Sequence, residues 1–137
     1  MKATDLEPPD LFRAFADATR LRLLNLLLER EICVCDLCEI LGEIQPKVSR
    51  HLAILRRAGL VRVRREGKRK FYALSMEKTA LQQKLLRCVR SCLSEFELLS
   101  EDRRRLKSME GRLHCPEDAS ATTRRRTHGR HPRGATS

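Results

Sequence analysis

At Gly59 the spacing of apolar residues changes from that of a helix to that of a strand, and this change leaves few folds open to the chain. Before it, Leu11, Phe12 and Phe15, then Leu21, Leu23, Leu24, Leu26, Leu27 and Leu28, recur at helical spacing. After it, Leu60, Val61 and Val63, then Phe71 and Ala73, with Tyr72 and Leu74 on the other register, alternate around Glu66-Gly67-Lys68. Such a pattern is a two-stranded β-hairpin with a glycine-containing turn. Helical spacing then returns. With no Trp, one Tyr and four Phe in 137 residues, the core must be built mostly of Leu, Ile, Val and Ala, which suits helices packed on helices. The expectation is one mainly α domain, marginal in size as a monomer.

Local signals set the boundaries. Pro8 and Pro9 open a first helix that buries Leu11, Phe12 and Phe15. Asp17 suits the N-cap of a second. A third spans about Val34 to Leu41 and ends at Gly42. Pro46 starts a fourth that runs to Ala58-Gly59 and buries Val48, Leu52, Ile54 and Leu55. From Met76 to about Lys107 a single long helix is predicted, with Leu81, Leu85, Leu86, Val89, Leu93, Phe96 and Leu99 as a dimer-forming stripe. Three parts follow: an extension over residues 1–9, a folded domain over 10–110, and a basic tail over 111–137 whose composition predicts disorder. The N-terminus lacks a signal-peptide pattern, and Arg22 and Asn25 interrupt the Leu21–Leu28 run, so a cytoplasmic protein is expected.

The net charge of +11 is unevenly placed. Residues 45–70 hold ten basic side chains and one acidic one, whereas residues 1–44 hold five and nine. A block so depleted of acids suits a surface that neutralises phosphates. On the fourth helix Gln45, Lys47, Ser49, Arg50 and His51 are expected at double-stranded DNA, where the first turns of a recognition helix meet base edges. His51 has a second option, helix packing. Arg64, Arg65, Lys68, Arg69 and Lys70 make the hairpin a charged wing.

Cys33-Val34-Cys35-Asp36-Leu37-Cys38 places three thiols at the start of the third helix, beside the DNA-binding segment. Thiolates capture soft ions, and a helix start favours the thiolate form. On an ideal helix Cys33 and Cys35 are about 200° apart and Cys35 and Cys38 about 60°. For all three to hold one atom, the first turn must unwind or Cys33 must lie before the helix. Two other readings remain open: small buried side chains, and a redox C-x-x-C at Cys35–Cys38. Cys88 and Cys92 share one helix face and suit interface packing, or a secondary thiol site with Cys115. No phosphate loop, carboxylate pair or nucleophile triad points to an enzyme.

The segments LFRAFADATRLRLL (11–24), ICVCDLCEIL (32–41), QPKVSRHLAILRRAGLV (45–61) and VRREGKRKFYAL (63–74) together resemble the ArsR/SmtB family of winged-helix repressors, in particular its arsenite-responsive branch. The resemblance implies a winged helix-turn-helix homodimer that occupies a promoter operator and leaves it when As(III) or Sb(III) binds. It matches Cys33 and Cys35 to the inducer-binding thiols and Cys38 to the third. Ile44 departs from the family pattern, since a Ser is common there as N-cap of the recognition helix; Ala18 stands for a frequent Pro. The long helix lacks the His and carboxylate ligands of the zinc-responsive members. The alternatives carried forward are a sensor of another soft metal ion or of thiol oxidation, a thiol-dependent enzyme, and an architectural DNA binder.

Overall fold

A computed structural model describes residues 7–93 and 95–113. The chain runs α1 (Pro8–Phe15), α2 (Ala18–Leu27), β1 (Ile32–Cys33), α3 (Val34–Leu41), α4 (Gln45–Arg57), β2 (Val61–Glu66), β3 (Arg69–Leu74), α5 (Ala80–Ser91) and α6 (Glu97–Ser108), closing with a 3-10 turn at Glu110–Arg112. The fold is a mainly helical winged helix with a small antiparallel sheet.

Helix α2 is the central element, because Leu23, Leu24, Asn25, Leu26 and Leu27 are all buried. A helix buried on nearly every side must be packed by neighbours all round, and α4, α5 and α6 surround it. Its start is fixed by Asp17, whose carboxylate accepts from the Arg20 N–H at 3.1 Å. Gly42 ends α3 at φ +69, a left-handed conformation that favours glycine. Pro46 lies in the first turn of α4, where Ile44 is the N-cap and offers no side-chain bond. Gly67, at φ +62, takes the first position of the two-residue turn between β2 and β3, as a type II′ hairpin requires.

Four expectations need correction. The hairpin has a third partner: β1 pairs antiparallel with β3, Ile32 opposite Tyr72 and Cys33 opposite Phe71. Two residues are too few to show a period of two, so the sequence carries no alternation there. Phe12 is 51% exposed, since Ala14 joins Leu11 and Phe15 on the inner face of α1. Ile54 is only half-buried on α4.

The predicted long helix is two helices. Thr79 and Gln82 form a reciprocal capping box that starts α5, leaving Met76 exposed before it, and the chain breaks between Ser91 and Glu97. A straight helix over residues 76–107 would be about 48 Å long, too long for both its halves to pack on α2. The break lets Leu86 and Val89 of α5 and Leu106 of α6 enter one core.

Helix α6 is locked in place by polar contacts. The Arg22 guanidinium donates to both oxygens of the fully buried Asp102 at 2.8 and 3.0 Å, and Asn25 donates to the Leu99 carbonyl at 3.1 Å. The Asp102 hydrogen bonds also push the Arg22 pKa further up. Removing one partner of a buried pair leaves the other uncompensated. Asp102→Ala should therefore lower stability by about 3 kcal/mol, measured by urea unfolding at matched protein concentration; a loss under about 1 kcal/mol would show that the pair does not hold α6.

Candidate sensor and nucleic-acid interface

The three thiols occupy three different environments. Cys33 is the last residue of β1 and the N-cap of α3, with extended backbone (φ −69, ψ 144) and no exposure. Cys35 is exposed in the first turn of α3 and Cys38 half-buried one turn on. Cys33 thus lies before the helix, and the angular obstacle of an ideal helix does not apply to it. Among the described residues no three Cys, His, Asp or Glu side chains stand as a formed metal site. Closing three sulfurs on one atom therefore requires movement at the β1–α3 junction.

The electrostatics differ from the helix-start expectation. Burial pushes the Cys33 thiol up, helped by the neighbouring Cys35 and Asp36, although the Cys35 N–H pulls it down. Burial likewise raises Cys38, with smaller contributions from Cys35 and Cys33. The resting forms of Cys33 and Cys38 are neutral thiols, because desolvation outweighs the partial charge of the helix start. Cys35 contributes to the rise at Cys33, and Cys35 and Cys33 both contribute at Cys38, which places the thiols within electrostatic range.

The cysteine segment is tied to the wing. Beyond the β1–β3 pairing, Glu31 accepts from Arg64 of β2 at 3.2 and 3.3 Å, Arg64 also pairs with Glu66 at 3.2 Å, and its guanidinium lies 4.7 Å from the ring centroid of Phe71. Phe71 is the residue opposite Cys33. Helix α3 packs on α4 on one side and α6 on another, where Arg105 donates to the Ile40 carbonyl at 2.9 Å.

The residues assigned to DNA divide. Gln45 and Arg50 are exposed on α4, Ser49 is half-buried, and Lys47 pairs with Glu43 at 3.1 Å across one turn. Arg65 and Lys68 are exposed on the wing, and Arg69 and Lys70 half-exposed. His51 takes the packing option: its Nδ1 lies 3.1 Å from Arg20 and 3.6 Å from Asp17, and desolvation chiefly holds its pKa low. Arg64 is committed to the acids and ring above. The sequence offered no sign of Arg20, which bridges α1, α2 and α4 through the Ala14 and Arg13 carbonyls and His51. Cys88 on α5 and Cys92 at its C-cap are both exposed. Of the predicted tail, residues 111–113 are described and Leu113 is buried in the core, so the ordered part reaches past residue 110; Cys115 lies outside the described residues.

Comparison with known proteins agrees with this architecture. Residues 17–63 match the model of the bacterial regulatory protein arsR family. The chain is 49% identical over 82 residues to the arsenical resistance operon repressor of Escherichia coli, covering 59% of this chain and 70% of that protein. It is 38% identical over 108 residues to an arsenic resistance transcriptional regulator of Pseudomonas putida, covering 78% and 92%. Among solved structures, HlyU from Vibrio cholerae superposes with a TM-score of 0.54 at 34% identity, covering 65% of this chain and 89% of that one. The homodimeric winged helix-turn-helix domain Mb0332 of Mycobacterium bovis gives 0.54 at 29%, covering 64% and 78%. With the helix pair, the wing and these relatives in agreement, the chain belongs to the ArsR family of bacterial regulatory proteins.

Proposed function

We propose that this chain is an arsenic-responsive transcriptional repressor that binds operator DNA as a homodimer and releases it when As(III) or Sb(III) takes the thiols of Cys33, Cys35 and Cys38. The observation that carries this reading is the position of Cys33. It stands outside helix α3 yet beside Cys35, and is hydrogen-bonded through its strand to the wing.

The neutral thiols favour a metalloid over a divalent cation. Arsenous acid is uncharged at neutral pH and exchanges three hydroxyls for three thiols with release of water, leaving a neutral product. A dication on three thiolates leaves net charge in a partly desolvated site and must expel protons. Raised thiol pKa values penalise the second process only.

Drawing three sulfurs together moves Cys33 relative to Cys35 and Cys38, so either the first turn of α3 or the β1–β3 pairing must yield. The Glu31–Arg64–Phe71 contacts oppose that movement. A part-exposed ion pair and a cation–π contact are worth on the order of 1–2 kcal/mol together, comparable to the coupling of about 1–3 kcal/mol by which an effector changes a second affinity. The wing and α4 would carry the charges that meet phosphate, with Gln45, Ser49 and Arg50 toward base edges and Arg65, Lys68, Arg69 and Lys70 along the backbone.

Two experiments test the reading. In an operator gel shift, Cys35→Ser, an exposed change that spares the core, should bind DNA as the parent does and fail to release it with arsenite; Cys33→Ser should behave alike. Normal release by the double variant would remove this site from sensing. The second is pH dependence. With Cys33 and Cys38 raised, arsenite affinity should be nearly flat between about pH 6 and 8, while Cd(II) affinity should climb with pH as protons are displaced. A steep rise for arsenite would contradict the neutral-thiol account.

A further inference from the structure

One side chain at the tip of α4 has no part in operator binding as set out above. Ile44 is the N-cap of that helix, 69% exposed on extended backbone (φ −75, ψ 151), and it makes no side-chain bond to the first N–H groups of α4. Single exposed apolar residues are ordinary on a protein surface; what sets Ile44 apart is its place. A β-branched apolar residue is among the poorest N-caps, well behind Ser, Thr, Asp and Asn. Among the described residues the other large apolar side chains so exposed are Phe12 on α1, Met76 before α5, and Phe96 and Leu98 at the start of α6. Of the five, Ile44 alone adjoins α4 and its basic block.

Charged and uncharged surface are separated there. The tip is Ile44-Gln45-Pro46, all three exposed and uncharged, while charge begins with Lys47 and Arg50 and continues on the wing with Arg65 and Lys68. Glu43, the acid before the tip, is taken up by Lys47 at 3.1 Å. Phosphates call for charge, but base edges in the major groove present donors, acceptors and one apolar group, the 5-methyl of thymine. The N-terminal end of a recognition helix is the part that meets those edges. The Ile side chain has no donor or acceptor, so of the groups on a base edge the methyl is the one whose burial it rewards. A polar edge pressed against it would lose water without gaining a partner. The same contact therefore selects for thymine and against the other bases.

We propose that Ile44 is a specificity-determining residue whose side chain packs on the 5-methyl group of a thymine at one fixed position in each operator half-site. The proposal rests on the reading of the chain as an operator-binding repressor and deepens it by naming a base. The missing cap then has a reason, because the position serves the DNA rather than the helix.

The probe is a duplex selected from a random-sequence pool by the full-length chain, with binding measured against excess unrelated duplex. Selected sites should carry thymine at one fixed position of each half-site. Deoxyuridine at that position removes only the methyl group and should weaken binding about 4-fold per half-site, as expected for one buried methyl-sized group. The penalty should persist in Ile44→Val and vanish in Ile44→Ala and Ile44→Ser. Because Ile44→Ser also adds a capping hydroxyl that steadies α4, the readout is the ratio of thymine to deoxyuridine affinities within each variant. A parent that binds the selected duplex specifically yet shows no deoxyuridine penalty at any position overturns the thymine contact and leaves the operator reading standing. So does a penalty that Ile44→Ala retains in full. A parent with no preference over unrelated duplex overturns the operator reading, and this proposal with it.

Discussion

The pairing of Ile32 and Cys33 with Tyr72 and Phe71 is the contact on which the arrangement of the site depends. Without it the segment between α2 and α3 would be a loop, and Cys33 would have no fixed place relative to the helix it precedes. With it, Cys33 is held extended, buried and opposite a wing residue, while Cys35 and Cys38 belong to α3. A ligand that bridges the three thiols acts across a boundary between two elements. A cluster confined to one helix turn would bind an ion without needing to move anything else.

The same boundary explains why the polar contacts lie where they do. Glu31 precedes the strand, Arg64 sits across the wing from it, and the Phe71 ring lies under the guanidinium. On the far side of α3, Arg105 reaches the Ile40 carbonyl and the Arg22–Asp102 pair fixes α6 to α2. Helix α3 is clamped between an element that bears the basic wing and one that is anchored to the core. Small movements in packed interiors are passed on to neighbours because the interior has little free volume to absorb them.

Much of this was legible in the residues. Asp17, Gly42, Pro46 and Gly67 each mark a boundary by their own backbone chemistry, and the structure places all four in those roles. The thiol cluster and the basic block were visible as composition. What was not legible depends on tertiary context. A two-residue strand has no period, and the apolar stripe from Leu81 to Leu99 keeps helical spacing across the break between α5 and α6, so only the tertiary partners of Asp102 and Asn25 reveal the turn. The packing partners of His51 on α4, Arg20 and Asp17, come from a distant stretch of chain and are not signalled by the residues around it. The raised thiols of Cys33 and Cys38 come from burial, which sequence position near a helix start does not report.

If binding at the α3 thiols and binding to DNA draw on the same movement, each must weaken the other by the same factor. The most direct measurement is an arsenite titration of the free protein and of the operator-bound protein, each with Cys88 and Cys92 changed to Ser, followed by As–S absorption. The account predicts arsenite affinity roughly 5- to 150-fold lower on the operator, equal to the factor by which arsenite lowers operator affinity. Equal arsenite affinities in the two states would contradict it.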